Sequence, residues 1–371
     1  MSYNNRVLGL DVARSAAIIL VLIAHYSLFL GGRININPVL YGAGYFGVEL
    51  FFALSGFLIG GIVIRNVLGH SDWRVVGNFW IRRWMRTIPA YFLVLIVLGI
   101  KTHAALSVWL VFSFFLQDFT HHIRDSFFGV AWSLAIEEWF YLLLPVALLI
   151  LGAKTRVKPR TLMVGLCVGG IIGCVIARYG EVMIFHTAWM DIRKSVFQRM
   201  DALLFGVLLA SAKHYWPVPY RTVLNRYGLL IGLAGIAGWV IFFLPFFGHQ
   251  TRLETVFNRT LMFSIVSGCS ALIVAWLDTS HTFNERMAGS LWAVVATFIS
   301  VTSYAIYLTH WDVLMIGLHH KGQGMARAVG VPLITLMMTY VLAAAIHYFF
   351  EKPIMDLRNR IPISAAVPSA S

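Results

Sequence analysis

The sequence predicts an all-α fold, a polytopic integral membrane bundle of about ten transmembrane helices, and three observations carry that prediction. Of 371 residues, 59% are apolar and 12% charged, with a mean hydropathy of +0.77, proportions that an ordinary soluble domain does not reach. Apolar runs long enough to cross a hydrocarbon core of about 30 Å recur from end to end. None shows the period-two alternation of a soluble sheet, and no Ser/Pro/Gly-rich linker divides them. Residues 1–360 therefore read as one transmembrane domain, followed by a short cytoplasmic tail at 361–371.

The first span, 8–30, holds the run "LDVARSAAIILVLIAHY". Asp11 and Arg14 interrupt it and no small-residue cleavage site follows, so it is expected to stay in the protein rather than act as a cleavable signal. Further spans are expected at 42–64, 87–103, 132–151, 161–178, 200–212, 228–246, 257–277, 290–317 and 328–350. The stretch 104–117, "AALSVWLVFSFFLQ", fits either an eleventh crossing or a re-entrant segment. Basic residues arbitrate: if it does not cross, 17 of the 29 Lys and Arg fall on one side and 11 on the other, with Arg14 inside a span. The positive-inside rule then puts both termini in the cytoplasm. The excess of basic residues, +13 overall, follows the topology and does not call for nucleic acid. Cys167, Cys174 and Cys269 lie in apolar runs at spacings that suggest neither a disulfide framework nor a metal site.

Charge inside these spans is costly and points to function. At about 100° per residue, Arg14 and His25 lie within about 20° of each other and Asp11 within about 40° of His25, so all three share a face of the first helix. Asp11 and Arg14, three apart, can form a structural ion pair. Arg14 and His25 are separated by roughly 16 Å along the axis, which places Arg14 towards the cytoplasm and His25 towards the outside. Depth counts put Glu137 or Glu138, in "AWSLAIEEWFYLLLP", and His310, in "TSYAIYLTHWDVL", at a similar outer level. On the cytoplasmic side, "WIRRWMRTIPAYF" brings Arg82, Arg83 and Arg86 to the start of the third span. Arg83 and Arg86 share a helical face and can present two guanidiniums to phosphates, or serve as a positive anchor beside Trp80 and Trp84.

With these residues in view, the chain resembles the membrane-bound acyltransferase family 3, the O-acyltransferases of cell-envelope and other glycans. The resemblance runs from Arg6 to Pro353 and rests on six ordered motifs: "RVLGLDVARSAAIILVLIAH", "FGVELFFALSGFLI", "RRWMRTIPAYF", "AWSLAIEEWFY", "TSYAIYLTH" and "YFFEKP". Two positions depart from the family pattern, Glu49 where Asp is usual and Trp139 where Gln is frequent. The chain is expected to work as a stand-alone bundle, without the extra hydrolase-like domain that some members carry.

The resemblance implies acetyl-CoA, or another acyl-CoA, as cytoplasmic donor and co-substrate, and a sugar hydroxyl of an envelope glycan, such as lipopolysaccharide O-antigen or exopolysaccharide, as acceptor. It implies a bacterial inner-membrane location and no metal. Arg83, Arg86, Arg82 and Arg14 are then candidates for the nucleotide phosphates. His25 is the candidate base or, through a transient acyl-histidine, the nucleophile. Glu138, or failing that Glu137, is the candidate acid that orients it. Tyr304, Tyr307 and His310 are candidates for the acceptor pocket. A small secreted or macrolide-type acceptor is the alternative within acyl transfer. A proton-coupled transporter would use a similar polar path, but the repeats that mark many transporters are not evident.

Overall fold

The computed structural model describes residues 7–30, 37–68, 72–119, 127–243, 253–279, 287, 289–320 and 325–360; the tail at 361–371 lies outside them. Its helices are α1 (Leu8–Tyr26), α2 (Asn37–Asn66), α3 (Trp73–Lys101), α4 (Leu106–Ser113), α5 (Ala131–Lys154), α6 (Pro159–Phe185), α7 (Trp189–Lys194), α8 (Met200–Tyr215), α9 (Pro217–Phe243), α10 (Val256–Thr279), α11 (Leu291–His319) and α12 (Met325–Ile346). A π-helical turn at His347–Glu351 leads into α13 (Lys352–Arg360). There is no strand among the described residues.

Nine of these helices are long and apolar enough to cross a membrane. At 16 residues, α8 is shorter, yet its packing places it as the tenth. Gly56 meets Leu203 and Gly60 meets Val207, so α2 and α8 run parallel; Gly170 meets Leu204 and Arg178 meets Asp201, so α6 and α8 run antiparallel. This is the alternation expected of ten consecutive crossings. A Cβ on Gly56 would drive into the Leu203 carbonyl oxygen, and one on Gly206 into that of Ala53. Small residues at such crossings let backbones approach, which is how apolar helices gain contact in lipid.

The ambiguous stretch 104–117 contains only the eight-residue α4, about 12 Å long and too short to cross. It doubles back along α3, with Trp109 against Gly99 and the Tyr91 hydroxyl donating to the Phe112 carbonyl at 2.9 Å. Trp139 anchors the end of this stretch, donating from Nε1 to the Phe115 carbonyl at 3.0 Å and packing edge-on against Phe119. The departure at position 139 therefore serves the packing of this re-entrant segment.

Apolar side chains face outwards, among them Ile100, Ile176, Ile184, Met337 and Val341, each at least 65% exposed, while Glu49, Asp11, Arg178, Arg199, Asp201 and His310 are buried. Apolar outside and polar inside is the arrangement a bilayer demands. A buried charge cluster is held among α2, α6, α8 and α10. Arg199 pairs closely with Glu49, which also accepts from Ser267 at 2.7 Å; Arg178 pairs with Asp201 at 2.8 Å, and Ser264 donates to Asp201 at 2.6 Å. Two arginines meet two carboxylates, so the cluster is neutral. Glu49, the other departure from the family pattern, belongs to it.

Candidate active site

The site is built on α1 and α11, which run parallel in close contact. Partners along the pair keep a nearly constant offset: Ser15 Oγ donates to the Ala296 carbonyl at 2.7 Å, Ser300 Oγ donates to Asp11 Oδ1 at 2.6 Å, and His25 Nδ1 meets His310 Nε2 at 2.8 Å. Arg14 Nη1 also reaches Ser300 Oγ, at 3.5 Å. Asp11 and Arg14 thus converge on one hydroxyl. The face of the bundle where α1 begins is the near face, and the opposite one the far face.

The histidine pair has a defined proton order. His310 Nδ1 lies 2.8 Å from the Tyr307 carbonyl and 3.1 Å from that of Ile306, and a nitrogen facing carbonyls must carry the hydrogen. His310 Nε2 is then an acceptor, so His25 Nδ1 donates to it. The remaining nitrogen of His25, Nε2, is left with a lone pair, the form a base or nucleophile needs. Trp311 abuts the His25 ring edge-on, with centroids 5.0 Å apart, and His310 stacks over it at the same separation. The residue expected in the acceptor pocket is therefore the direct partner of His25.

The carboxylates lie elsewhere. Glu138 accepts from Thr87 Oγ1 at 2.9 Å, and Glu137 accepts from the Tyr141 hydroxyl at 2.6 Å and pairs with Arg83 at 3.5 Å. Neither set of hydrogen bonds includes His25. The Tyr304 hydroxyl donates to the Thr87 carbonyl at 2.9 Å, which sets this layer six residues before His310 on α11, roughly 9 Å nearer the near face. The common depth expected for Glu138 and the histidines is not what the structure has. The reason is local: residues 127–130 dip into the bundle before α5 begins at Ala131, with Phe128 and Val130 buried, so the helix starts deeper than its hydropathy implies.

Two cavities flank the boundary between these layers. The near one encloses about 880 Å³, part of it open to solvent, and is lined by Arg14, Arg83, Arg86, Glu137, Ser55 and Tyr304 among others. The far one encloses about 920 Å³, also partly open, with His25, Trp132, Arg193, Lys194 and Trp311 in its wall. Val48 and Tyr307 line both, and the Tyr307 hydroxyl is tied to Ser133 at 2.6 Å. Tyr307 thus forms part of the partition between them. In the near cavity Arg83 is engaged, donating to the Tyr141 hydroxyl at 2.7 Å and lying over its ring at 4.2 Å. Arg86 makes no hydrogen bond or ion pair with the described residues. Arg82 does not line this cavity.

Sequence reasoning passed over Tyr141, Ser55, Thr87 and Ser133, whose hydroxyls are common in apolar helices and carry no distinctive signal. It also passed over Arg193 and Lys194, which sit on the six-residue α7 in the wall of the far cavity. Two adjacent cations in "AWMDIRKS", a short segment rich in large apolar residues, were the available sign. Among the described residues no group of His, Cys, Asp and Glu converges as a metal site.

Fold and site together define a multi-pass membrane protein with a paired histidine in the wall of a cavity on one side of the bundle, and an arginine-lined cavity on the other. The acyltransferase domain family matches residues 7–355, nearly the whole chain, and this protein belongs to that family, acyltransferase family 3. O-acetyltransferase OatA of Staphylococcus aureus (strain NCTC 8325 / PS 47) is 27% identical over 377 residues, covering 95% of this chain and 58% of its own length. A putative O-acetyltransferase of S. aureus strain COL is 26% identical over 373 residues, covering 93% of this chain and 56% of its own. The chain thus spans somewhat over half the length of these curated relatives. No solved structure matches it.

Proposed function

We propose that the protein is a membrane O-acetyltransferase that takes an acetyl group from cytoplasmic acetyl-CoA and places it on a sugar hydroxyl of an envelope glycan at the far face. The observation that carries the reading is the His25–His310 pair, whose proton order leaves His25 Nε2 as the available lone pair in a cavity adjoining an arginine-lined one. The relatives named as O-acetyltransferases point to the same reaction.

The near face is assigned to the cytoplasm. Of the eleven Lys and Arg counted on the far side from sequence, Arg178, Arg193 and Arg199 are buried in the bundle. Eight remain against 17, a sharper bias for the positive-inside rule. Both termini are then cytoplasmic, and the membrane is the bacterial inner one.

The near cavity suits the donor's phosphates, since Arg14 and Arg86 line it and Arg86 makes no hydrogen bond or ion pair with the described residues. Arg83 shapes the wall through Tyr141 and Glu137. Bound acetyl-CoA supplies an activated thioester. The chain's part is proton handling: His25 Nε2 takes the proton of the acceptor hydroxyl as its oxygen forms the ester bond, the C–S bond breaks, and the proton passes on to the departing thiolate. While His25 is an imidazolium, its Nδ1–H stays bonded to His310 Nε2, which stabilises the charge and fixes the ring. The same lone pair serves equally if His25 first accepts the acyl group itself. Tyr307 and Val48 mark the passage that the acyl group must cross.

The test is expression of wild type and His25→Ala at equal membrane levels, with acetyl groups on the cell's envelope glycans measured by mass spectrometry. A specific acetyl mark present with wild type is expected to disappear in the variant; a mark that persists unchanged removes His25 from the chemistry.

A further inference from the structure

The far cavity holds a buried cation, Arg193, that acyl transfer to a neutral sugar does not need. Arg193 and Lys194, at the end of α7, both line it, and none of its described lining residues is acidic. Asp191, on the same short helix, is exposed and does not line it. Arg193 is nine-tenths buried and packs among three rings, its guanidinium carbon 5.0 Å from the Trp132 centroid, 5.6 Å from Trp189 and 5.7 Å from Tyr45. Its Nε has no hydrogen-bond partner, and no ion pair to it occurs among the described residues. Rings of this kind support a guanidinium but do not neutralise it, and a buried cation is ordinarily matched by an anion.

The anion that fits is one the ligand brings. A guanidinium offers a planar fork of donors that matches a carboxylate in two parallel hydrogen bonds. The other lining residues suit a sugar ring, because Trp132 and Trp311 offer aromatic surface and His25 faces the same space. We infer that the acceptor is an acidic glycan, whose sugar carboxylate is held by Arg193 with Lys194 while a hydroxyl of the glycan is presented to His25. This rests on the acyl-transfer reading and narrows it: Arg193 determines specificity, and a neutral glycan is a poor acceptor.

The test uses the purified full chain in phosphatidylcholine nanodiscs and two radiolabelled probes of equal length, tetragalacturonate and its carboxyl-reduced neutral counterpart, tetragalactose. Wild type is expected to bind the acidic probe about tenfold more tightly, the effect of one charge-assisted contact. Arg193→Gln should remove the preference, Lys194→Gln should reduce it, and added salt should weaken it in wild type, which keeps the test decisive if a variant does not fold. Equal binding of the two probes, no binding of the acidic one, or a preference untouched by Arg193→Gln overturns the inference. A preference abolished when phosphatidylglycerol replaces phosphatidylcholine overturns it too, since a lipid head group is then the occupant. Acetyl transfer from acetyl-CoA is followed in parallel. Transfer without acid preference defeats this inference alone, whereas an Arg193-dependent preference without any transfer defeats the catalytic reading and leaves the anion site standing.

Discussion

Replacing His310 with phenylalanine keeps a flat, slightly larger ring at the centre of the site but removes both nitrogens, the acceptor that meets His25 and the donor that faces the Tyr307 carbonyl. His25 Nδ1 then loses the 2.8 Å bond to His310 Nε2, and with it the constraint that keeps the proton on Nδ1. Any fraction of His25 with its hydrogen on Nε2 cannot accept a proton or attack a carbonyl. The bond matters most when His25 is charged, and a hydrogen bond to a charged group contributes about 1.5–3 kcal/mol. At about 1.4 kcal/mol per factor of ten, kcat for acetyl transfer should fall by roughly 10- to 150-fold, with little change in KM for the donor, whose cavity does not include His310. His310→Gln, whose amide oxygen can accept from Nδ1–H, should recover most of the loss. The assay is transfer of labelled acetyl to the glycan that wild type marks, with thermal melting in detergent to confirm the fold. A His310→Phe enzyme within about twofold of wild type, or a Gln variant no better than Phe, refutes the proton order assigned to the pair.

Three further outcomes are expected from other parts of the structure. Arg86→Gln should raise KM for acetyl-CoA about tenfold, the loss of one charge-assisted contact, without lowering thermal stability, because Arg86 makes no hydrogen bond or ion pair with the described residues; an unchanged KM removes it from donor binding. Arg199→Met strands Glu49 in the bundle and should cost about 3–5 kcal/mol, read as a drop in melting temperature, while the double variant Arg199→Met/Glu49→Gln should be more stable than the single one; a stable single variant contradicts the role given to the cluster. Gly56→Ala places a Cβ against the Leu203 backbone and should lower the yield of folded protein far more than Gly165→Ala, where nothing lies within 4 Å of the added carbon; equal yields refute the close α2–α8 approach.

Much of the architecture was legible because hydropathy and helical period are local properties. Ten apolar segments, their approximate limits and the shared face of Asp11, Arg14 and His25 all come from residues close together in sequence, and the structure has those helices. The short α8 was legible as a span by composition, although its place as a crossing depends on its glycine contacts with α2. The stretch 104–117 was ambiguous because its apolar length suits a crossing; Tyr91 and Trp139, which turn it back along α3, are distant in sequence. Arg178 and Arg199 were counted with loop charges, since nothing local tells a loop arginine from one paired inside the bundle.

By itself the sequence determined an all-helical membrane bundle, the family to which it belongs and the unusual polar residues in its spans, because each of these is written in composition, period or ordered motifs. Tertiary structure alone decided which of those residues meet. His25 is oriented by His310 and not by Glu138, because the parallel packing of α1 and α11 aligns the two histidines while the buried turn at 127–130 starts α5 deeper. Depth counted along a helix is accurate only once the level at which that helix starts is known, and neighbouring helices set that level.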